Sequence, residues 1–201
     1  SVLSQSLDSF ELVVVDDGST DSTGAIVASF SDPRIRYFRL ATNVGLTKAL
    51  NYGLNHARGE YIARLDADDR MLSGRLRKQA QFLDSVPECA LVGSRCLLLN
   101  IARCQVFETP SGLDQPTIRR HLMRGRSPIF HSSIMFRRLF QHEKILYDER
   151  YTQAQDYKLF VRIAATAKIC VLDEILSVCV RGSNRSITGK RSSKEHLKLT
   201  L

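Results

Sequence analysis

The sequence has no tryptophan, and only 7% of its 201 residues are aromatic. No apolar run approaches the roughly 18 residues that cross a bilayer as a helix; the longest, such as LVVV at 12–15, are strand-sized. No C-x-x-C pair occurs among the five cysteines (Cys89, Cys96, Cys104, Cys170 and Cys179), whose odd count and loose spacing argue against a zinc site. Most lie in apolar stretches and are expected to be buried free thiols of a reducing cytosol. The opening SVLSQSL does not read as a secretory signal, so the sequon Asn184-Arg185-Ser186 is expected to be fortuitous. Internal repeats and low-complexity segments are lacking too. What is present suits one folded domain: 43% hydrophobic and 25% charged residues exclude disorder as the main state.

Charge is unevenly placed. Twenty-nine Lys and Arg against 21 Asp and Glu give a net charge of +8, yet no Lys or Arg precedes Arg34. That early stretch holds Asp8, Glu11, Asp16, Asp17, Asp21 and Asp32. Basic residues gather at Arg119, Arg120, Arg124 and Arg126, and again from Arg181 to Lys198. A basic late half fits nucleic acid, an anionic membrane surface or a phosphorylated substrate, and equally a solvated face with a tail. Nucleic acid is not expected, because no binding motif and no aromatic residues interleave with the basic ones.

Along the chain, 10–16 (FELVVVD) has the β-branched, apolar pattern of a buried parallel strand ending in carboxylates. A turn (Asp17-Gly18-Ser19-Thr20-Asp21), a short helix over 22–30 and a strand over 35–40 follow. A helix is expected over 46–58, with Leu46, Leu50 and Leu54 on one face and Gly59 as its stop. A third strand, 61–65, ends in Asp66-Ala67-Asp68-Asp69. A helix over 76–83 and a strand over 90–99 complete the early half. Later elements are a basic helix near 116–124, a strand at 132–137, a helix at 155–167 and strands at 169–172 and 176–180. This alternation predicts an α/β fold with a mostly parallel sheet, whose ligand lies at the carboxyl ends of its strands.

Carboxylates crowded at one strand end repel each other and lose hydration unless a cation joins them. The D-x-D of Asp66 and Asp68, with Asp69 after it, is therefore a candidate Mg²⁺ or Mn²⁺ site. The spacing alone equally fits helix capping. Asp16-Asp17-Gly18-Ser19 reads either as turn chemistry or as acceptors for a base or ribose at the sheet edge.

Six segments, in order, resemble family 2 glycosyltransferases of the GT-A fold. They are FELVVVDDGSTD (10–21), NVGLTKALN (43–51), ARGEYIARLDADD (57–69), RLRKQAQFL (75–83), HSSIMFR (131–137) and QDYKLFVRIA (155–164). The resemblance implies a GT-A domain over 1–188, with a nucleotide-binding half at 1–99, an acceptor-binding half at 100–188 and a basic tail at 189–201. It implies a metal-dependent, inverting hexosyltransferase of cell-envelope polysaccharide synthesis. The donor is a nucleoside-diphosphate sugar and the acceptor a glycan or lipid-linked molecule. The expected location is the cytoplasm or the cytoplasmic face of the membrane, with peripheral membrane contact. Residue by residue, it assigns Asp17 to the nucleobase, Asp66 to the ribose, Asp68 to the metal and Asp156 to the catalytic base. His131 matches a recurring histidine and is a candidate acceptor or phosphate contact. Gln155 stands where the family more often has an acid. Family members begin with a strand, a turn and a helix, whereas this chain matches from the end of that helix. The expectation is a fragment or an impaired homologue, with strand 10–16 lacking a neighbour and full donor affinity requiring the earlier segment. The competing classes are a basic, non-catalytic binding module and a nucleotidyltransferase.

Overall fold

The computed structural model describes residues 1–181; the basic tail expected at 189–201, the end of the expected 1–188 domain and the Asn184 sequon lie outside the described residues. Strand β1 (Leu12–Asp16) pairs in parallel with β2 (Ile35–Arg39) through a five-residue register from Leu12 opposite Ile35 to Asp16 opposite Arg39. The connecting α1 (Thr23–Ala28) is short and has no buried residue. Among the described residues β1 has β2 as its one strand neighbour, the one-sided pairing expected for this segment. Helix α2 (Leu46–His56) packs on β1, where a Cβ at Gly53 would lie 3.2 Å from Val15 Cγ2. A Cβ there is accommodated only if Val15 gives by a few tenths of an ångström.

The larger sheet runs β3 (Tyr61–Ala63), β7 (Met135–Arg137), β5 (Cys89–Asn100), β10 (Lys168–Arg181) and β4 (Arg70–Met71), with β6 (Gln105–Glu108) folded back on β5. The short strands β8 (Leu139–Phe140) and β9 (Glu143–Lys144) pair separately. Parallel pairing holds in β1–β2 and along the whole β5–β10 ladder. β7 enters antiparallel between β3 and β5. β10 is one strand of 14 residues where the sequence pattern implied two. The exposed pair Asp173 and Glu174 breaks the apolar pattern, and the register shifts there between Leu172 and Ile175.

β5 is buried on both sides, as a central strand requires. Leu91 faces a cluster with Phe136, Phe160, Ile163 and Ile169, covered by α4 (Gln115–Met123) and α5 (Gln155–Thr166). Val92 faces a second cluster with Met71, Leu76, Leu83 and Met135 beneath α3 (Arg75–Ser85). Phe136 and Phe160 are thus fully buried core residues. All five cysteines are free thiols. Cys89, Cys96 and Cys179 are buried and Cys170 is half-buried, but Cys104 is exposed, ending the tight turn between β5 and β6. No helix among the described residues is long and apolar enough to cross a membrane.

Candidate functional site

The chain leaves β3 through Arg64 and Leu65 into the acidic turn 66–69. One hydroxyl sets this turn. Ser132 Oγ accepts from Arg64 Nη1 (3.0 Å) and from the Asp66 backbone N–H (3.0 Å), and donates to Asp66 Oδ2 (3.1 Å). Its single proton and both lone pairs are therefore used. Arg64, 7% exposed, also forms an ion pair with Asp66, and its Nε–H is buried without an acceptor. Asp69 accepts the Val180 N–H through Oδ1 (2.7 Å), which ties the turn to β10. Asp68 is different: it is exposed, and among the described residues no other residue donates to its carboxylate. Ligand oxygens of Asp66, Asp68 and Asp69 all lie within 4.8 Å of one another. Loss of hydration in the crowded turn, although the residue as a whole is exposed, and then the charges of Asp69 and Asp66 raise the pKa of the Asp68 carboxyl. Crowded hard oxygen donors, one of them unpartnered, fit a divalent cation such as Mg²⁺ or Mn²⁺.

Beneath this turn lies Arg75, which is fully buried. Its guanidinium donates to the carbonyls of Ser132 (2.6 Å), Arg64 (2.9 Å) and Ile134 (3.0 Å), and its Nε to Gln79 Oε1 (3.0 Å). Burial brings its pKa down to about 10, so it remains cationic at neutral pH. Arg75 thereby fixes the backbone of both segments that carry the site, and its charge lies under the carboxylates.

His131 is in contact with Tyr147, whose phenol feels the charges of both Asp66 and Asp156. His131 Nε2 and Tyr147 Oη are 2.7 Å apart, and the His131 ring packs edge-on against Tyr147 and Phe160. Burial, reinforced by Arg64, pushes the imidazole pKa well below its usual value, so His131 is neutral. Burial raises the Tyr147 phenol, and the charges of Asp156 and Asp66 raise it further against the opposing Arg64. Both carboxylates thus lie within electrostatic reach of one hydroxyl. Asp156 is half-buried in the first turn of α5, just after Ala154 turns the chain at φ 52°. The neighbouring Gln155 is buried.

Asp16 and Asp17 do not join the 66–69 cluster. Asp16, 4% exposed, accepts from Ser19 N (2.8 Å) and Tyr37 Oη (2.5 Å). Asp17 accepts the N–H groups of Val44 (2.7 Å) and Gly45 (3.0 Å), which fixes the entry to α2. That helix is bolted in turn to the segment before α5. Thr47 Oγ1 donates to the Tyr151 carbonyl (2.7 Å), and Asn51 binds the backbone of Tyr147. The sequence-derived residues are therefore brought together as two groups: Asp66 with Asp68, and His131 with Asp156 around Tyr147. Asp17 is connected to them through α2. Sequence reasoning missed Ser132, Tyr147, Asn51 and Arg75, and the bond by which Asp69, already part of the candidate metal cluster, holds Val180. Asn51 carried a signal of its own, a polar residue between Leu50 and Leu54 on a helix whose apolar face is buried.

Residues 1–146 match the family model described as "Glycosyl transferase family 2". The chain belongs to glycosyl transferase family 2. EpsE of Bacillus subtilis (strain 168) is 37% identical over 141 residues, which are 68% of this chain and 49% of EpsE. The succinoglycan biosynthesis protein ExoO of Rhizobium meliloti (strain 1021) is 30% identical over 187 residues, 86% of this chain and 52% of ExoO. Among solved structures, S. aureus TarS 1-349 in complex with UDP-GlcNAc superimposes with a TM-score of 0.69 at 23% identity, covering 95% of this chain and 55% of that one. Its complex with UDP gives 0.64 at 25% identity, covering 85% and 51%. The fold is of the GT-A type. The chain spans about half the length of the curated relatives it matches, and Asp156 lies beyond the family-matched span.

Proposed function

We propose that this domain moves a sugar from a nucleoside-diphosphate donor to a glycan or lipid-linked acceptor by a single, inverting displacement. The observation that carries the reading is the unpartnered Asp68 carboxylate within the 66–69 cluster, with Asp66 of that cluster and Asp156 both within electrostatic reach of the Tyr147 hydroxyl. Membership of the family and the likeness to UDP- and UDP-GlcNAc-bound TarS support it.

In this reading Asp68, with Asp66 and Asp69 beside it, would hold Mg²⁺ or Mn²⁺, which when bound offsets the negative charge growing on the leaving phosphate. Asp66, oriented by Ser132 and Arg64, accepts from the ribose. Asp17 takes the nucleobase. Its two bonds to Val44 and Gly45 leave acceptor sites on a carboxylate that offers about four. Asp156 takes the proton of the acceptor hydroxyl as that oxygen attacks the anomeric carbon. His131, neutral and fixed by Tyr147, contacts acceptor or phosphate on the same side.

The test is product analysis with a panel of donor sugars. Release of free nucleoside diphosphate supports sugar transfer, whereas pyrophosphate would assign nucleotidyl transfer instead. Asp156→Asn should keep donor binding and lower transfer by about 10² or more. Normal turnover in that variant would remove Asp156 from the base role.

A further inference from the structure

The end of α4 carries a feature that the transfer chemistry does not use. From residue 115 to 142 there is no Asp or Glu, while Arg119, Arg120, Arg124 and Arg126 fall within eight positions. All four are exposed, and among the described residues none forms an ion pair or a side-chain hydrogen bond. The nearest acid in the sequence, Asp114, caps α4, accepting from Thr117 N (2.9 Å) while it feels the charge of Arg120. Among these cations stands Met123, 86% exposed, the largest such value among the exposed apolar side chains.

The local structure explains the arrangement. Ile118 and Leu122 form the buried face of α4, so Arg119, Arg120 and Met123 must point away from the core. The helix closes on Gly125 at φ 70°, with Gly125 N donating to the Leu122 carbonyl (3.1 Å) and Arg126 N to that of His121 (3.0 Å). That double closure gives the last turn a defined shape. Beside it, α4 and α5 leave an open groove of about 290 Å³, floored by Leu122, Tyr157, Val161 and Ala164, with Met123 and Arg119 along its edge. An apolar groove edged by Arg119, on a helix end that carries three more unpaired arginines, is complementary to a layer that is anionic outside and apolar within.

We infer that the α4 end, with the α4–α5 groove, is a docking surface for a bilayer containing anionic phospholipids. The four arginines meet the headgroups and Met123 enters the layer beneath them. Tyr157 Oη donates to the Leu122 carbonyl (2.6 Å), so this surface is joined to the residue next to Asp156. On the proposed function, which this last step rests on, the acceptor then reaches Asp156 from the membrane side.

The lack of tryptophan makes the test direct. Met123→Trp in the full chain introduces a single indole fluorophore at the proposed contact, and Phe30→Trp is its control. Phe30 is 56% exposed and follows α1 in the stretch with no preceding Lys or Arg, so it has apolar exposure without the charge. Phosphatidylglycerol–phosphatidylcholine vesicles should shift the indole emission of the Met123→Trp protein to the blue, and pure phosphatidylcholine should not. The Phe30→Trp protein should respond to neither. Replacing the four arginines by Ala should weaken vesicle flotation at least about tenfold, while UDP binding is retained. Flotation of the Met123→Trp protein without an emission shift would place the contact elsewhere, in the basic residues after Arg181 for instance, and overturn the inference. A response of its indole to duplex DNA but not to vesicles would overturn it in favour of a nucleic acid. Failure of the unsubstituted chain to bind UDP, with the vesicle-induced shift of the Met123→Trp protein intact, would instead count against the proposed function alone.

Discussion

The side-chain amide of Asn51 holds the backbone of Tyr147 at both ends: Nδ2 donates to the Tyr147 carbonyl at 2.9 Å, and Oδ1 accepts the Tyr147 N–H at 2.8 Å. Nδ2 also reaches Glu149 Oε1 at 3.0 Å. A residue 96 positions earlier in the chain thereby takes the place of a missing strand partner. It fixes the backbone of the tyrosine that His131 leans on and whose phenol feels the charge of Asp156.

Asn51→Leu keeps the volume and removes every one of these bonds, leaving a buried N–H and C=O of Tyr147 unpaired. The expected loss is about 2–4 kcal/mol, read from the urea midpoint at unchanged slope. In a variant that remains folded, transfer should fall more than nucleotide affinity, because the displaced segment carries the acceptor side.

Asp68 has the opposite balance. Its folded-state pKa is raised, first by burial and then by Asp69 and Asp66. The folded protein therefore binds that proton more tightly than the unfolded chain. The group opposes folding above its raised pKa and ceases to do so as the pH falls through it. At neutral pH in EDTA, Asp68→Asn should melt at a higher temperature than wild type. Added Mn²⁺ should raise the wild-type melting temperature and leave the variant unchanged. Thermal melts with and without the ion decide this.

Asp16 works the other way at low pH. Hydrogen bonds from Ser19 and Tyr37 lower its pKa, so its contribution to stability is complete above the unfolded value of about 3.9 and is lost as the pH falls below it. Tyr37→Phe removes the 2.5 Å phenol bond from a buried carboxylate. The cost should be about 1–3 kcal/mol at pH 7, with acid unfolding starting at a higher pH. Circular dichroism across pH 2 to 5 measures it, and coincident acid limbs for the two proteins would contradict it.

The strands and helices of the first hundred residues were legible because each has its own period and its own stop signal. FELVVVD has nothing but strand character, and the Leu46, Leu50 and Leu54 stripe defines α2. The antiparallel entry of β7 was not legible, since MFR has no property that records direction. The continuity of β10 across Asp173 and Glu174 was hidden too, because charge at mid-strand looks like a boundary until Arg95 and Lys78 are seen pairing with those side chains. Within the site, the clustered carboxylates announced themselves by spacing. Arg75 did not: a fully buried arginine that binds three carbonyls has the same letter as a solvated one, and only the fold shows it under the acidic turn. Asp17 reads as a ligand-binding acid, yet its first task is to hold the Val44–Gly45 turn.

The most direct measurement is a calorimetric titration of UDP into the full chain and into Asp68→Asn, each with Mn²⁺ and with EDTA. Wild type should bind UDP measurably only when Mn²⁺ is present, and the variant should lose at least about tenfold in affinity, or about 1.4 kcal/mol. Equal UDP affinity in all four titrations would contradict a cation-completed diphosphate site at Asp66, Asp68 and Asp69.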